Sequence, residues 1–78
     1  MSRLTIFLAD DHALMRAGLR KILEQRSDWE VIGEASDGRE AVRRILEAKP
    51  ALAILDIGMP LLNGIEATRQ IARREADI

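Results

Sequence analysis

Two periodicities alternate along this chain, and the alternation limits what it can fold into. Three short apolar runs, Leu4–Ala9, Trp29–Ala35 and residues 51–55, are separated by longer stretches in which apolar side chains recur at helical spacing. Short runs rich in Ile, Val, Leu and Phe suit strands, whereas apolar positions three and four apart suit amphipathic helices. The expected order is therefore β-α-β-α-β-α. Strands joined through helices run parallel, because the helix carries the chain back to the edge where the strand began, and right-handed crossovers are the expected connection. Residues 51–55, Ala-Leu-Ala-Ile-Leu, are apolar without interruption, as in a parallel strand covered on both faces. Trp29–Ala35 alternates imperfectly around Val31 and Ile32, as a strand nearer a sheet edge does.

The first helix is expected over residues 13–25, with Met15, Leu19, Ile22 and Leu23 inward and Arg16, Arg20, Lys21 and Glu24 toward solvent. Gly18 within it costs up to about 1 kcal/mol of helix propensity relative to Ala, so close packing against the sheet is the expected compensation. Asp37 followed by Glu40 is an acidic variant of the capping box and opens a second helix, with Ala41, Val42, Ile45 and Leu46 inward, that ends at Lys49-Pro50. Met59-Pro60 shapes a loop. Asn63 with Glu66 repeats the cap signature and starts a last helix through Ile65, Thr68, Ile71 and Ala72 toward Arg74. Met15 and Trp29 are expected to pack.

Several function classes are disfavoured. A chain of 78 residues makes one small domain with a thin core. Cysteine is absent, so neither a disulfide framework nor a Cys-containing zinc site is available, and a cytoplasmic setting fits. The apolar run Leu4–Ala9 is too short for a signal-peptide core or a membrane span, so no membrane partner is expected. A net charge of −1, with Lys and Arg interspersed among acids, lacks the footprint of nucleic-acid binding; any DNA contact belongs to another segment.

In an open parallel sheet, loops at the carboxyl ends of the strands line the crevice where ligands bind. Asp10 and Asp11 follow the first apolar run and Asp56 follows the third. If those strands are neighbours, about 4.8 Å apart, three carboxylates converge. Such a group either takes up a proton through like-charge repulsion or is neutralised by a hard cation, and oxygen ligands favour Mg²⁺ over zinc or copper. Mg²⁺ would also remove the repulsion between a carboxylate and a phosphoryl group, so an aspartyl phosphate could form without a separate general base. Asp56 is the expected nucleophile because it ends the most buried strand. Taken singly, an Asp-Asp pair or Asp56 reads as turn and capping chemistry; two acidic sites ending two strands carry the functional reading. Asp37, Glu40, Asn63 and Glu66 read as helix caps. His12, beside a helix start, is expected at the surface or in a supporting position.

Asp10-Asp11-His12, Arg16-Ala17-Gly18-Leu19, the stretch Gly33-Glu34-Ala35-Ser36-Asp37-Gly38, and Asp56-Ile57-Gly58-Met59-Pro60 followed by Asn63-Gly64 resemble the receiver domains of two-component response regulators. The likeness is to the branch that carries a LuxR-type (NarL/FixJ-like) helix-turn-helix domain, and it runs over essentially the whole chain. It implies a flavodoxin-like (CheY-like) α/β fold, with a parallel sheet of strand order 2-1-3 built from the first three βα units; residues 1–78 would be a partial receiver domain. The resemblance further implies phosphoryl transfer from a sensor histidine kinase to Asp56. Mg²⁺ would be held by Asp10, Asp56 and the backbone carbonyl of Gly58, with Asp11 acting largely through bound water. Transcriptional control would run through a C-terminal DNA-binding domain outside this chain, which is not itself expected to be an enzyme. Gly58 offers no side chain, so steering of phosphate turnover from that position would be lost.

Receivers of this kind have five strands, with a Thr or Ser ending the fourth and a Lys ending the fifth, and neither residue has a counterpart here. The second reading is therefore a switch-incompetent structural or self-associating fragment. In strand order 2-1-3 the third strand is an edge, with residues 51–57 carrying unpaired backbone groups and exposed apolar faces, and the first helix is short of a neighbour. Self-association into a homo-oligomer through that edge, or continuation in a longer chain, is the expectation. Enzyme readings fare worse. A haloacid-dehalogenase-like phosphatase needs a carboxylate where Gly58 stands, and a dinucleotide site needs G-x-G-x-x-G where the first strand is followed by aspartates.

Overall fold

The structure, a computed structural model, describes residues 3–75 and 77–78. Its elements are β1 (Leu4–Ala9), α1 (Ala13–Leu23), β2 (Trp29–Ala35), α2 (Gly38–Ala48), β3 (Leu52–Leu55) and α3 (Gly64–Arg74). The strands form one parallel sheet in the order β2-β1-β3, the flavodoxin-like arrangement expected. From β1 the chain steps out to β2, then back across β1 to β3. With crossovers of one hand, that reversal puts α1 on one face and α2 with α3 on the other.

Residues 6–9 of the central strand are buried, and they divide by parity between the two faces. Phe7 and Ala9 pack with Ala35, Ala41, Ile45, Met59 and Ile71 under α2 and α3. Ile6 and Leu8 pack with Val31 and the half-buried Leu19, Leu23 and Ile54 under α1. The imperfect alternation of β2 has a physical cause: Ile6 pairs with Val31 but Phe7 with Gly33, leaving Ile32 as a bulged extra residue. Past the bulge the parity flips, which turns Glu34 toward α1 and Ala35 into the opposite core. Gly33 lies against the Phe7 ring, where a Cβ would come within 2.6 Å of a ring carbon.

Both cap signatures are realised on one side only. The Asp37 carboxylate accepts from the Glu40 N–H at 2.8 Å and the Asn63 side chain accepts from the Glu66 N–H at 2.9 Å. Glu40 and Glu66 do not reach back; they pair along their helices with Arg44 and Arg69. Lys49 ends α2 in the left-handed conformation, φ 50°, and Pro50 follows it into the core.

Four expectations about packing are corrected. Met15 and Ile22, expected inward, are 58% and 63% exposed, and α1 has no fully buried residue. Gly18 has no close neighbour, since a Cβ there would meet nothing within 4 Å. Only the Leu19 and Leu23 side of the apolar stripe meets the sheet; the rest has no opposing element among the described residues. In α3 the buried line is Gly64, Ala67 and Ile71, while Ile65, Thr68 and Ala72 are exposed. Small residues at the start of α3 let it settle closely, and that choice rotates Ile65 outward. Strand β3, expected to be the most buried and covered on both faces, has no fully buried residue, because it pairs with β1 alone among the described residues; Leu52 on it is 43% exposed, and β1 is the most buried strand. No helix among these residues is long and apolar enough to cross a membrane.

Candidate metal centre

Hydrogen bonds continue past the ends of the strands and hold two of the acids. Asp56 donates its N–H to the Ala9 carbonyl at 2.9 Å, and Asp10 donates to the Ala35 carbonyl at 3.1 Å. The backbones of Asp10 and Asp56 are thus tied to neighbouring strands, at the place where the strand order reverses. Asp10, Asp11, His12 and Asp56 each offer a ligand atom, all within 4.8 Å of one another. The three acids expected at the site are brought together, and His12 joins them.

The Asp10 side chain is the most enclosed, 11% exposed against 31% for Asp11 and 32% for Asp56. The backbone N–H of His12 donates to Asp10 Oδ1 at 2.8 Å, and this bond is the main cause that holds the Asp10 carboxyl below its ordinary pKa, against the opposing effect of burial. The His12 ring stands over the acids, with Nδ1 3.1 Å from Asp10 Oδ1, 3.1 Å from Asp11 Oδ1 and 4.0 Å from Asp56 Oδ2. The hydrogen bond to Asp10, then the charge of Asp11, raises the His12 pKa. The ring nitrogen directed at these carboxylate oxygens offsets part of the repulsion among them. Arg16 donates to the Asp10 carbonyl and pairs with Glu34 at 2.8 Å, fixing the β1–α1 loop from behind.

The loop after β3 is held at both ends. The Gly58 N–H points to Asp56 Oδ1 at 3.4 Å, and a Cβ on Gly58 would meet nothing within 4 Å, so the position is open. Met59 anchors the loop in the core. Gly38 donates its N–H to Pro60 O at 3.3 Å, and Gly64 donates to Ile57 O at 3.1 Å. Both glycines permit close approach: a Cβ would come within 1.7 Å of Leu62 O at Gly38 and within 2.4 Å of Asp56 O at Gly64. A donor set of three carboxylates with one imidazole, fixed at strand ends, fits a divalent cation.

Residues 6–78 match the response regulator receiver domain family. The chain belongs to that family. It is 49% identical over 72 residues to the transcriptional regulatory protein LiaR of Bacillus subtilis, covering 92% of this chain and 34% of the relative. The structure superposes on a two-component response regulator of the LuxR family from Aurantimonas with a TM-score of 0.91 and 39% identity, covering 96% of this chain and 54% of that one. It superposes also on the Borrelia burgdorferi CheX–CheY–BeF₃–Mg²⁺ complex, with a TM-score of 0.88 and 26% identity, covering 97% of this chain and 57% of that one. The chain therefore spans about a third of the curated relatives it matches, 34% for LiaR. The likeness to the LuxR-type branch of receivers stands on these relatives.

The sequence reading left His12 outside the receiver's ligand set and passed over Arg16, Glu34, Gly38 and Gly64. Only adjacency to Asp10-Asp11 could have flagged His12. The Arg16–Glu34 pair depends on the β2 bulge, and the roles of Gly38 and Gly64 depend on where the β3–α3 loop folds back.

Proposed function

We propose that this receiver accepts a phosphoryl group on Asp56 from a sensor histidine kinase, with Mg²⁺ held by Asp10, Asp56 and the Gly58 backbone carbonyl and by Asp11 through water. The observation that supports the reading is the convergence of Asp10, Asp11 and Asp56 at the reversal of strand order in a chain of this family. A fold neighbour whose complex contains BeF₃ and Mg²⁺ is in keeping with it. Mg²⁺, when bound, neutralises charge that would otherwise repel the incoming phosphoryl oxygens. The remaining work falls to the chain. Asp56 is held by its amide on Ala9 and by Gly64 packed behind its carbonyl, so its carboxylate is presented in a fixed place at the end of β3. The donor's phosphorus–nitrogen bond breaks as a phosphorus–oxygen bond to Asp56 forms, and a carboxylate nucleophile needs no general base. The output would be control of transcription in the cytoplasm through a DNA-binding domain beyond these residues, as the LuxR-type relatives suggest.

The test is intact-protein mass after incubation with acetyl phosphate and Mg²⁺. One phosphoryl mass should be added to the wild type, none to Asp56→Asn, and none when the metal is chelated. An adduct that persists in Asp56→Asn would sink the assignment. Absence of any adduct in a folded wild type would favour a purely structural part for these residues.

A further inference from the structure

We propose that His12 sets the metal preference of this centre, acting as a nitrogen ligand to a borderline transition cation such as Co²⁺ or Ni²⁺ and as an obstacle to Mg²⁺. The inference rests on the reading of Asp10, Asp11 and Asp56 as a cation site and adds a residue to it. His12 Nδ1 lies 3.1 Å from Asp10 Oδ1, 3.1 Å from Asp11 Oδ1 and 4.0 Å from Asp56 Oδ2. In an octahedral shell with bonds of about 2.1 Å, adjacent ligand atoms are about 3.0 Å apart and opposite ones about 4.2 Å. The imidazole nitrogen already stands at ligand-to-ligand separations from the three acids, and a cation bound there would take the place of the Nδ1 proton, which is released to solvent. All four ligand atoms lie within 4.8 Å of one another, so adjustments of a few tenths of an ångström would close a common shell.

Nothing else occupies this side chain. His12 is the N-cap of α1 but makes no side-chain cap hydrogen bond, and its side chain is 72% exposed. Its ring has polar partners only in the acids of the site among the described residues. The chemistry of the ring then divides the cations. Mg²⁺ prefers oxygen and keeps its waters, so it must displace the imidazole and break its contacts with Asp10 and Asp11. Borderline divalent ions bind imidazole well and rise in affinity for nitrogen from Mn²⁺ through Co²⁺ to Ni²⁺, so for them the same ring is a gain. Removing His12 should move the two affinities in opposite directions.

The experiment uses the 78-residue chain, titrated by calorimetry with MgCl₂ and separately with CoCl₂ as wild type, His12→Asn and His12→Ala, with circular dichroism to confirm folding. Both substitutions should weaken Co²⁺ binding by about tenfold or more, the scale on which metal-site partners act, and leave Mg²⁺ binding equal or tighter. Because the sequence contains one histidine, a hyperfine-shifted, solvent-exchangeable imidazole proton in the proton spectrum of the Co²⁺ form reports His12 without ambiguity; it should vanish in both variants. Equal changes in the two affinities, or a Co²⁺ form without that proton, would overturn the role of His12 while leaving the acids as a cation site. A wild type that binds neither cation would overturn both this inference and the proposed phosphoacceptor site.

Discussion

Gly38, Gly64 and Gly18 are alike in the sequence and opposite in the structure. At Gly64 an added Cβ would stand 2.4 Å from Asp56 O, a backbone atom that cannot swing aside. Gly64→Ala should therefore cost about 1–3 kcal/mol through forced displacement, read as a lower urea midpoint, and should slow formation of the Asp56 adduct because the displaced atoms belong to the nucleophile. At Gly18 nothing lies within 4 Å, and the residue sits inside α1. Gly18→Ala should raise stability by about 0.5–1 kcal/mol through helix propensity and a less flexible unfolded chain. A midpoint that falls on Gly18→Ala would mean that the exposed face of α1 is covered in solution.

Elements are joined here by polar contacts as much as by apolar ones. Helix α1, with no fully buried residue, is fastened to β2 by Glu34, which pairs with Arg16 at 2.8 Å and Arg20 at 2.5 Å. The Arg20 hydrogen bond first, with help from Arg16, holds the Glu34 carboxyl below its ordinary value of 4.5. A lowered folded-state pKa means that the unfolded chain takes up the proton first as pH drops. The contribution is complete above about pH 4.5 and is lost as pH falls through that value and then through the lower folded one. Glu34→Gln should cost about 1–2 kcal/mol near neutral pH, between the worth of exposed and buried pairs, and should flatten the acid limb of stability against pH in urea titrations. Parallel acid limbs for the two proteins would exclude Glu34 as the titrating group. At the helix starts, Asp37→Ala and Asn63→Ala should each cost about 1 kcal/mol by the same measurement, since each frees a backbone N–H that its side chain now satisfies.

The whole molecule is a slab, 32 × 28 × 15 Å, with two apolar surfaces left over from its packing. One is the Leu14, Met15 and Ile22 face of α1; the other is the side of β3, with Leu52, that has no strand beside it among the described residues. A strand hydrogen-bonded on one side only is a template for another strand. The 78-residue chain by itself should therefore show a scattering mass that rises with concentration, and Leu52→Lys, which sets a charge on that edge, should lower it. A folded monomer at every concentration tested would count against edge pairing.

The sequence by itself determined the alternation of strands and helices, the caps at Asp37 and Asn63, and the place of Asp10, Asp11 and Asp56 at strand ends, because each depends on neighbours within a few residues. The elements match the expected order, with β3 starting at Leu52 and α1 ending at Leu23. What only the tertiary structure decided are the things set by contact between distant segments. Periodicity marked Met15, Ile22 and Ile65 as apolar at the right spacing, yet it could not say which stretch of the stripe would find a partner, and all three are exposed. The β2 bulge at Ile32, which turns Glu34 to α1, comes from pairing with β1. The meeting of Asp56 with Asp10 and Asp11, and the His12 ring set among them, required β1 and β3 to be neighbours. Local sequence specifies which groups carry charge at the ends of strands, and the order of strands in the sheet decides which of those charges must share a space.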